Sequence, residues 1–323
     1  MIFAAGPLTG LPLPSSSKLV IASKSPLTRG YGDGNIGTRA ALELRKAGFD
    51  ALIIYGAANG PTLLHITDNN VEFINARDLW GLNAYETDWE LQRMFSDDYG
   101  FLTIGRAGEN LVKISVVVSE RGKAGGRPGM GAVMGSKKLK AIAIKGSGKI
   151  PIHNERQLSR LFEESSDHII MNPSYDHWLK QGTMMVIEWA QANSVLPTYN
   201  FREGVFEEAE NIGGEVMENF YKVSQKGCPY CVMPCRNIVI GEKEKEAIEA
   251  ELDYENVAML GANLGVGRMD DVIYLNRLCD DYGLDTISTG NVIGFTIEAK
   301  EKGLLDAEKL EVNDLEWGNA DAI

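Results

Sequence analysis

Three cysteines in one short segment are the most chemically distinctive residues of the sequence. Cys228, Cys231 and Cys235 form a C-x2-C-x3-C run, and prolines at positions 229 and 234 restrict the turn between them. Iron–sulfur clusters and zinc both take thiolate ligands in proteins. Zinc sites usually combine two such units or add histidines, and His177, the nearest histidine, lies far upstream. The run therefore favours an iron–sulfur cluster over a zinc knuckle.

A four-iron cluster takes four protein ligands, so the run leaves one ligand to be found. The sequence contains four cysteines, and Cys279 is the one candidate outside the run. A radical-SAM site would take three cysteines and leave one iron open, but its usual spacing is the reverse of the spacing here. We therefore expect a four-iron cluster of the ordinary kind.

Two glycine-rich segments, residues 30–37 and 125–138, are the second feature that points to a ligand. Glycines let backbone amides approach a ligand closely, and strings of such amides bind anionic oxygens such as those of phosphates. Neither segment contains a Walker or Rossmann fingerprint. Each segment is thus read either as a ligand cradle or as a plain turn.

Two acidic segments are the remaining candidates for a functional role. In Asp280–Asp285 (DDYGLD), Gly283 is placed to end a helix, and Asp285 projects from the turn beyond it. Its carboxylate could accept hydrogen bonds from a heterocyclic amine, or could simply mark a solvated helix end. Glu255 follows Asp253 and Tyr254 at the start of a helical pattern. It would stabilise the helix dipole or, if buried beside a metal, take or give a proton.

The elements that must position these residues fall into two parts. Residues 1–150 read as β-rich, with strands predicted at 18–22, 51–55, 62–66, 114–118 and 141–144. Residues 151–323 read as mainly α-helical, with Asn154 capping one helix and further helical patterns near 183–193, 246–265 and 269–282. The segment 146–152 reads as the connector. We predict an α+β fold with domains at 1–150 and 151–323.

Composition limits the classes of function. The chain has 323 residues and a formal charge of −13, which argues against a protein that tracks nucleic-acid phosphates. No apolar run is long enough to span a membrane, and the amino-terminal residues lack the basic region of a signal peptide. The clustered cysteines fit a reduced compartment, so we expect a cytoplasmic location without a membrane or nucleic-acid partner.

Taken together and in order, these segments resemble the aldehyde:ferredoxin oxidoreductase family. The resemblance covers nearly the whole chain and rests on segments that match in sequence order. They are AGPLTG (5–10), KSPLT (24–28), GRAGEN (105–110), RPGMGAVMGSKKLKAIA (127–143), LPTYNF (196–201), the cysteine run and DDYGLD (280–285). Several independent motifs agreeing with one architecture make the combination specific.

The resemblance implies a fold, a reaction and a set of cofactors. It implies a β-rich pterin-binding domain followed by a helical domain. It also implies that the enzyme oxidises aldehydes to carboxylic acids at tungsten or molybdenum held by two pyranopterins (molybdopterin). Electrons would pass through a [4Fe-4S] cluster to ferredoxin or a similar acceptor. The cofactor supplies the redox chemistry, and the protein positions it.

The resemblance also assigns roles to particular residues. It implies that the cysteine run holds the cluster and that Glu255 approaches the metal as a proton-handling group. The residues implied to contact the pterins or their phosphates are Asn35, Gly37, Arg127, Asp280 and Asp285, the last through a ring nitrogen.

Departures from the family pattern set further expectations. Family members are roughly twice as long, which implies that this chain is a fragment without a leading segment and without a trailing part. The trailing part would carry a second D-x-x-G-L motif ending in the fourth cluster cysteine. Some members join subunits through an iron bound by E-x-x-H, but Cys279 occupies the place of that glutamate, so this iron is not expected. The sequence leaves open whether the chain forms a homodimer. The competing readings are a non-catalytic cluster- or pterin-binding module and a zinc-stabilised structural protein.

Overall fold

The computed structural model describes residues 1–68, 70–305, 312 and 314–323, and it divides into two compact units. Unit one comprises Met1–Asn172, Gly227–Met233 and Asp280–Asp285, and unit two comprises Pro173–Lys226, Pro234–Cys279 and Thr286–Ile323. The predicted domain division at residue 150 stays a prediction. The compact units differ from it because two short segments of the second half pack with the first unit.

Unit one is built around two β-sheets. One sheet has the strand order β3-β2-β1-β4 and the other has the order β6-β5-β10-β7-β8-β9. The elements are β1 (Ile2–Ala5), β2 (Lys18–Lys24), β3 (Tyr31–Gly37), α1 (Arg39–Lys46), β4 (Ala51–Ile53), β5 (Thr62–Thr67), β6 (Asn70–Asn75), α2 (Ala84–Met94), β7 (Gly100–Thr103), α3 (Arg106–Glu109), β8 (Val117–Ser119), β9 (Lys123–Gly125), α4 (Met130–Ser136), β10 (Leu139–Lys145) and α5 (Glu155–Ile170). The five predicted strands are confirmed in position, within a few residues at their ends.

Strand β10 lies inside the six-stranded sheet because most of its residues are apolar. Residues 141–144 are fully buried, and the strand pairs with β5 in parallel and with β7 antiparallel. Lys140 in this strand is also buried, although lysine is charged, and all three of its hydrogen bonds are satisfied. Its Nζ donates to the carbonyls of Leu82 and Ile104, at 2.9 and 2.8 Å, and to Glu109 Oε1 at 2.5 Å.

The first glycine-rich segment is a β-strand along most of its length. Residues 31–37 form β3, paired antiparallel with β2 from Lys18↔Gly37 to Lys24↔Tyr31. The expectation of a loop is wrong here because the pairing with β2 satisfies the backbone groups of the segment. The glycines serve close packing instead. A Cβ atom at Gly34 would lie 2.5 Å from the nitrogen of Gly126 in the second glycine-rich segment.

Unit two contains most of the helices of the second half and one small sheet of order β11-β12-β13. Its elements are α6 (Tyr175–Gln181), a 3-10 helix (Gly182–Met185), α7 (Val186–Ala192), a 3-10 helix (Ala209–Ile212), α8 (Gly214–Val216), a π-helical turn (Met217–Tyr221), β11 (Lys222–Lys226), β12 (Arg236–Lys243), β13 (Glu246–Leu252), α9 (Tyr254–Leu260), a 3-10 helix (Ala262–Leu264), α10 (Met269–Tyr282), whose last turn belongs to unit one, and α11 (Thr286–Glu301). The α+β class, β-rich first and helical second, is confirmed.

The helical pattern predicted at 246–265 is wrong for its first part. Residues 246–252 form β13, which pairs antiparallel with β12 through a tight turn at Glu244 and Lys245, both with positive φ. Glu, Ala and Leu favour helices locally, but pairing with β12 overrides that weak preference. The pattern at 269–282 is confirmed as α10, and Asn154 caps α5 by accepting the Gln157 amide at 3.0 Å.

None of the helices within the described ranges is both long and apolar enough to cross a lipid bilayer.

Candidate cofactor site

The segment that carries the first two cysteines is folded into a tight turn on unit one. The Cys231 amide donates to the Cys228 carbonyl at 3.0 Å, and Tyr230 between them has a φ of 60°. The Ser17 hydroxyl donates to the Pro229 carbonyl at 2.8 Å, which ties the turn to the residue preceding β2. The predicted turn is therefore present, and strand β2 positions it.

The sulfur of Cys228 lies against two residues of unit one. A Cβ atom at Gly37 would be only 2.6 Å from Cys228 Sγ, so the absence of a side chain there makes room for the sulfur. On another side, Lys123 Nζ lies 3.4 Å from the same sulfur. Gly37 was predicted beside a pterin or its phosphates, and that contact stays a prediction, while the structure shows Gly37 against the cysteine turn.

Cys235 belongs to unit two, immediately before β12, and no disulfide bond joins any of the four cysteines in the described structure. Across the described part of the chain, no group of three or more His, Cys, Asp or Glu side chains is arranged to hold a single metal ion. Thiolates nevertheless fit an iron–sulfur cluster as ligands, and the missing side chain at Gly37 makes room for the Cys228 sulfur. The three cysteines remain a predicted ligand set.

The Asp280–Asp285 segment is fastened to unit one by its backbone. Gly283 has a φ of 71° and ends α10, as predicted from the sequence. Its carbonyl accepts the Val116 amide at 2.9 Å, and the Asp285 amide donates to the Ile114 carbonyl at 3.0 Å. Gly105 packs so closely on the Tyr282 carbonyl that a Cβ atom there would overlap it. The loop is held rigidly by main-chain contacts.

Two residues predicted to contact a pterin, Arg127 and Asp285, contact each other at this loop. Arg127 Nε donates to both carboxylate oxygens of Asp285, at 3.0 Å each. The Asp285 side chain is 6% exposed, whereas that of Arg127 is 54% exposed. A buried carboxylate with a half-exposed guanidinium beside it offers both an acceptor and a donor to a heterocycle. Asp280 is buried, and its carbonyl accepts the Gly283 amide at 3.1 Å.

Neighbouring strands connect the cysteine turn to the Arg127 region. Strands β3 and β9 lie side by side, since Gly34 packs on Gly126 and an added Cβ at Gly125 would lie 3.5 Å from the Asn35 carbonyl. Asn35 itself is exposed, two residues before Gly37. Unit one thus gathers all five predicted pterin contacts and the first two cysteines.

The predicted proton-handling residue lies in unit two. Glu255 is in the first turn of α9 and its side chain is exposed, and its proton-handling role stays a prediction. Burial and the Glu251 carboxylate raise the pKa of Asp253 to about 7, although the Thr183 hydroxyl donates to its Oδ1 at 3.0 Å.

Sequence reasoning missed two residues of interest. Asp253 had a visible signal, because it stands between Glu251 and Glu255 in ELDYE. Lys123 had none, since a single lysine near a glycine-rich segment is ordinarily solvated. Its contact with Cys228 depends on residues that are far apart in the chain.

Known proteins resemble this chain along its whole length. The family model "Aldehyde ferredoxin oxidoreductase, N-terminal domain" matches residues 1–146, and the model for domains 2 and 3 of the same family matches residues 160–323. A tungsten-containing aldehyde ferredoxin oxidoreductase of Pyrococcus furiosus is 36% identical over 330 residues, covering 100% of this chain and 54% of the relative. The corresponding protein of Thermococcus kodakarensis is 35% identical over 326 residues, with 100% and 54% coverage.

A more distant relative and a solved structure extend the comparison. The aliphatic sulfonate oxidoreductase WOR-like subunit of Pyrococcus furiosus is 31% identical over 341 residues, covering 100% of this chain and 53% of the relative. The active-site complex BamBC of benzoyl coenzyme A reductase, bound to 1,5-dienoyl-CoA, has a similar fold, with a TM-score of 0.83 at 24% identity. It covers 96% of this chain and 49% of that chain. The chain spans about half the length of the curated relatives it matches.

Proposed function

Because this chain belongs to the aldehyde ferredoxin oxidoreductase family, we propose that it forms part of an enzyme that oxidises aldehydes to carboxylic acids. The relatives from Pyrococcus furiosus and Thermococcus kodakarensis that are 36% and 35% identical are tungsten-containing aldehyde ferredoxin oxidoreductases. The proposal includes a tungsten or molybdenum bis-pterin centre, a [4Fe-4S] cluster, ferredoxin as acceptor and a cytoplasmic location. A homodimer is compatible with it.

One observation supports the proposal: unit one contains the five predicted pterin contacts together with Cys228 and Cys231, two of the three predicted cluster cysteines. The sulfur of Cys228 lies against Gly37 at the end of β3, while Arg127 follows β9 and pairs with Asp285. In a redox enzyme the electron-transfer group must lie near the reaction centre. The positions of these residues in unit one are consistent with that requirement.

The pterin side of the proposal uses the residues around Arg127. Asp285 would accept hydrogen bonds from a ring nitrogen, Arg127 would donate to a heterocycle or phosphate oxygen, and buried Asp280 would support the loop. Asn35 and Gly37 would contact the pterin edge from β3. The bound centre supplies the redox chemistry when present, and these residues bind and orient it.

The cysteine side uses Cys228, Cys231 and Cys235 as cluster ligands. The proton-handling role belongs to Glu255, whose carboxylate would take or give a proton at its oxygen atoms. Asp253, two residues away with a pKa near 7, is suited to exchange protons at neutral pH beside it.

The proposal is tested on the complete gene product, purified without oxygen and analysed for tungsten, molybdenum, iron, sulfide and zinc. We expect iron, sulfide and tungsten or molybdenum, together with aldehyde oxidation coupled to dye reduction. Zinc without iron, sulfide or tungsten would overturn the proposal in favour of a zinc-stabilised structural protein. Cofactors without aldehyde oxidation would favour a non-catalytic module.

Three variants test the roles proposed for the cysteines and for Glu255. Cys228→Ser should lower the iron content, while the matched variant Cys279→Ser should keep it, because Cys279 is absent from the proposed ligand set. Glu255→Gln should abolish dye reduction at unchanged metal content. Full activity of Glu255→Gln would show that the proton role lies elsewhere.

A further inference from the structure

We propose that Lys123 sets the reduction potential of the iron–sulfur cluster by donating a hydrogen bond to the sulfur of Cys228. Lys123 is then a positioning and tuning residue that acts through a ligand, without touching the cluster itself. The inference rests on the proposed cluster at the cysteine run, and it adds an effect on the redox equilibrium that neither the sequence motifs nor the relatives assign.

The geometry places an ammonium group directly on the sulfur. Lys123 Nζ lies 3.4 Å from Cys228 Sγ, within hydrogen-bonding distance for a sulfur acceptor. Only 8% of the lysine side chain is exposed, which is unusual for lysine and shields its charge from solvent screening. Its interaction with the sulfur is therefore stronger than that of a surface lysine.

The lysine is held in this position by its surroundings. It is the first residue of β9, which pairs with β8 through Ser119↔Lys123. Glu120 Oε2 lies 3.0 Å from Lys123 Nζ, and Glu120 Oε1 accepts the backbone amide of Arg39 at 2.8 Å. Because α1 begins at Arg39, the glutamate is anchored at that helix start and keeps the ammonium from swinging away.

Charge and hydrogen bonding at ligand sulfurs determine cluster potentials. Reduction adds negative charge to the cluster and its thiolates, so a nearby cation and an N–H donor stabilise the reduced state more than the oxidised state. Lys123 should make the cluster easier to reduce. Glu120 adds a negative charge on the other side of the same ammonium, so it should oppose this effect.

The opposite effects expected for Lys123 and Glu120 distinguish tuning of the reduction potential from a purely structural role. If Lys123 only held the β8–β9 hairpin in place, removing either member of the pair would loosen the turn, and neither would move the potential in a set direction. Tuning predicts shifts of opposite sign for Lys123 and Glu120 variants at equal cluster content.

The test is an anaerobic redox titration of the cluster in the holoprotein, followed by electron paramagnetic resonance. For Lys123→Met we expect the equilibrium to move about tenfold toward the oxidised cluster, which corresponds to a potential about 59 mV lower for a one-electron couple. Lys123→Arg should restore most of the wild-type value, because it keeps both the charge and a donor. Glu120→Gln should give a smaller shift to higher potential.

Lys24→Met is the matched control. Lys24 is an exposed lysine at the opposite end of β2 from the Lys18↔Gly37 pair, so its removal should leave the potential unchanged. A cluster-loaded Lys123→Met with the wild-type potential overturns this inference alone. If Lys123→Met loses its cluster, Glu120→Gln decides, since an unshifted potential there also overturns it. Wild-type protein without iron and sulfide overturns the proposed function and this inference with it.

Discussion

Units one and two place a carboxyl group in opposite electrostatic surroundings. In unit one, Asp285 accepts two hydrogen bonds from the Arg127 guanidinium, so its negative charge has a cationic partner. In unit two, Asp253 lies near Glu251 and Glu255, and burial with those charges raises its pKa to about 7. A carboxylate with a cationic partner suits ligand orientation, while a carboxyl group that titrates near neutrality suits proton exchange.

The two regions also differ in how they are fastened. Main-chain hydrogen bonds from Gly283 and Asp285 hold the loop of unit one to residues 114–116. The Asp253 carboxyl is held by a side chain, through the Thr183 hydroxyl. The proposed pterin-binding loop is therefore fixed by its main chain, whereas the Asp253 carboxyl, proposed to exchange protons, depends on side chains whose charge state varies. Four changes test this contrast, ordered by the expected effect on the free energy of unfolding.

Gly105→Ala should have the largest effect. The new Cβ would overlap the Tyr282 carbonyl, and a backbone atom cannot move aside as a flexible side chain can. We expect a loss of about 3 kcal/mol, at the upper end for overpacking. Chemical denaturation measures it. Gly60→Ala is the control, because nothing lies within 4 Å of its added Cβ. Equal stability of both variants would contradict a loop fixed by its main chain.

Asp253→Asn should change the pH dependence of stability in unit two. The folded-state pKa of about 7 lies above 3.8, the ordinary pKa of an aspartate, so the native state binds the extra proton between these pH values. Wild-type stability should therefore fall as the pH rises from about 4 to about 7. The variant should lack this fall.

Stability curves of both proteins at several pH values measure the effect of Asp253. Glu246→Gln, at an exposed residue of β13, should leave the wild-type pH profile unchanged. If Asp253→Asn follows the wild-type curve at every pH, Asp253 does not titrate as its surroundings indicate.

Arg127→Gln should have a moderate effect in unit one. It removes the cationic partner of a buried carboxylate, but the arginine is 54% exposed, so solvent replaces part of the interaction. We expect a loss of about 1 kcal/mol and weaker retention of pterin, which fluorescence of the released pterin measures. Arg127→Lys should recover charge but not the planar guanidinium. Unchanged pterin content in Arg127→Gln would show that Arg127 does not contribute to pterin binding.

Gly37→Ala should have the smallest effect on stability and a clear effect on iron. Its Cβ would lie 2.6 Å from Cys228 Sγ, a side-chain atom, so the cysteine turn shifts while β3 stays in place. We expect less than about 1 kcal/mol of destabilisation, with iron per protein clearly reduced. Gly30→Ala is the control, since its added Cβ would have only an ordinary contact, 3.8 Å from Thr28 Oγ1. Full iron content in Gly37→Ala would mean that the turn tolerates displacement.

Local signals were sufficient for features that a short segment determines. The sequence by itself indicated the tight cysteine turn, the end of α10 at Gly283, the Asn154 cap and the α+β class, because turn, cap and periodicity signals act over a few residues. The family also followed from the sequence, since its motifs lie in order along the chain.

Only the tertiary structure decided the features that join distant residues. Residues 246–252 became a strand because β12 was available to pair with them, and residues 31–37 became a strand against β2. The contact of Lys123 with Cys228 and the pairing of Arg127 with Asp285 join segments far apart in sequence. The burial that raises the pKa of Asp253 likewise exists only after folding. Hydrogen-bond partners and burial depend on long-range packing, which local residue patterns do not encode.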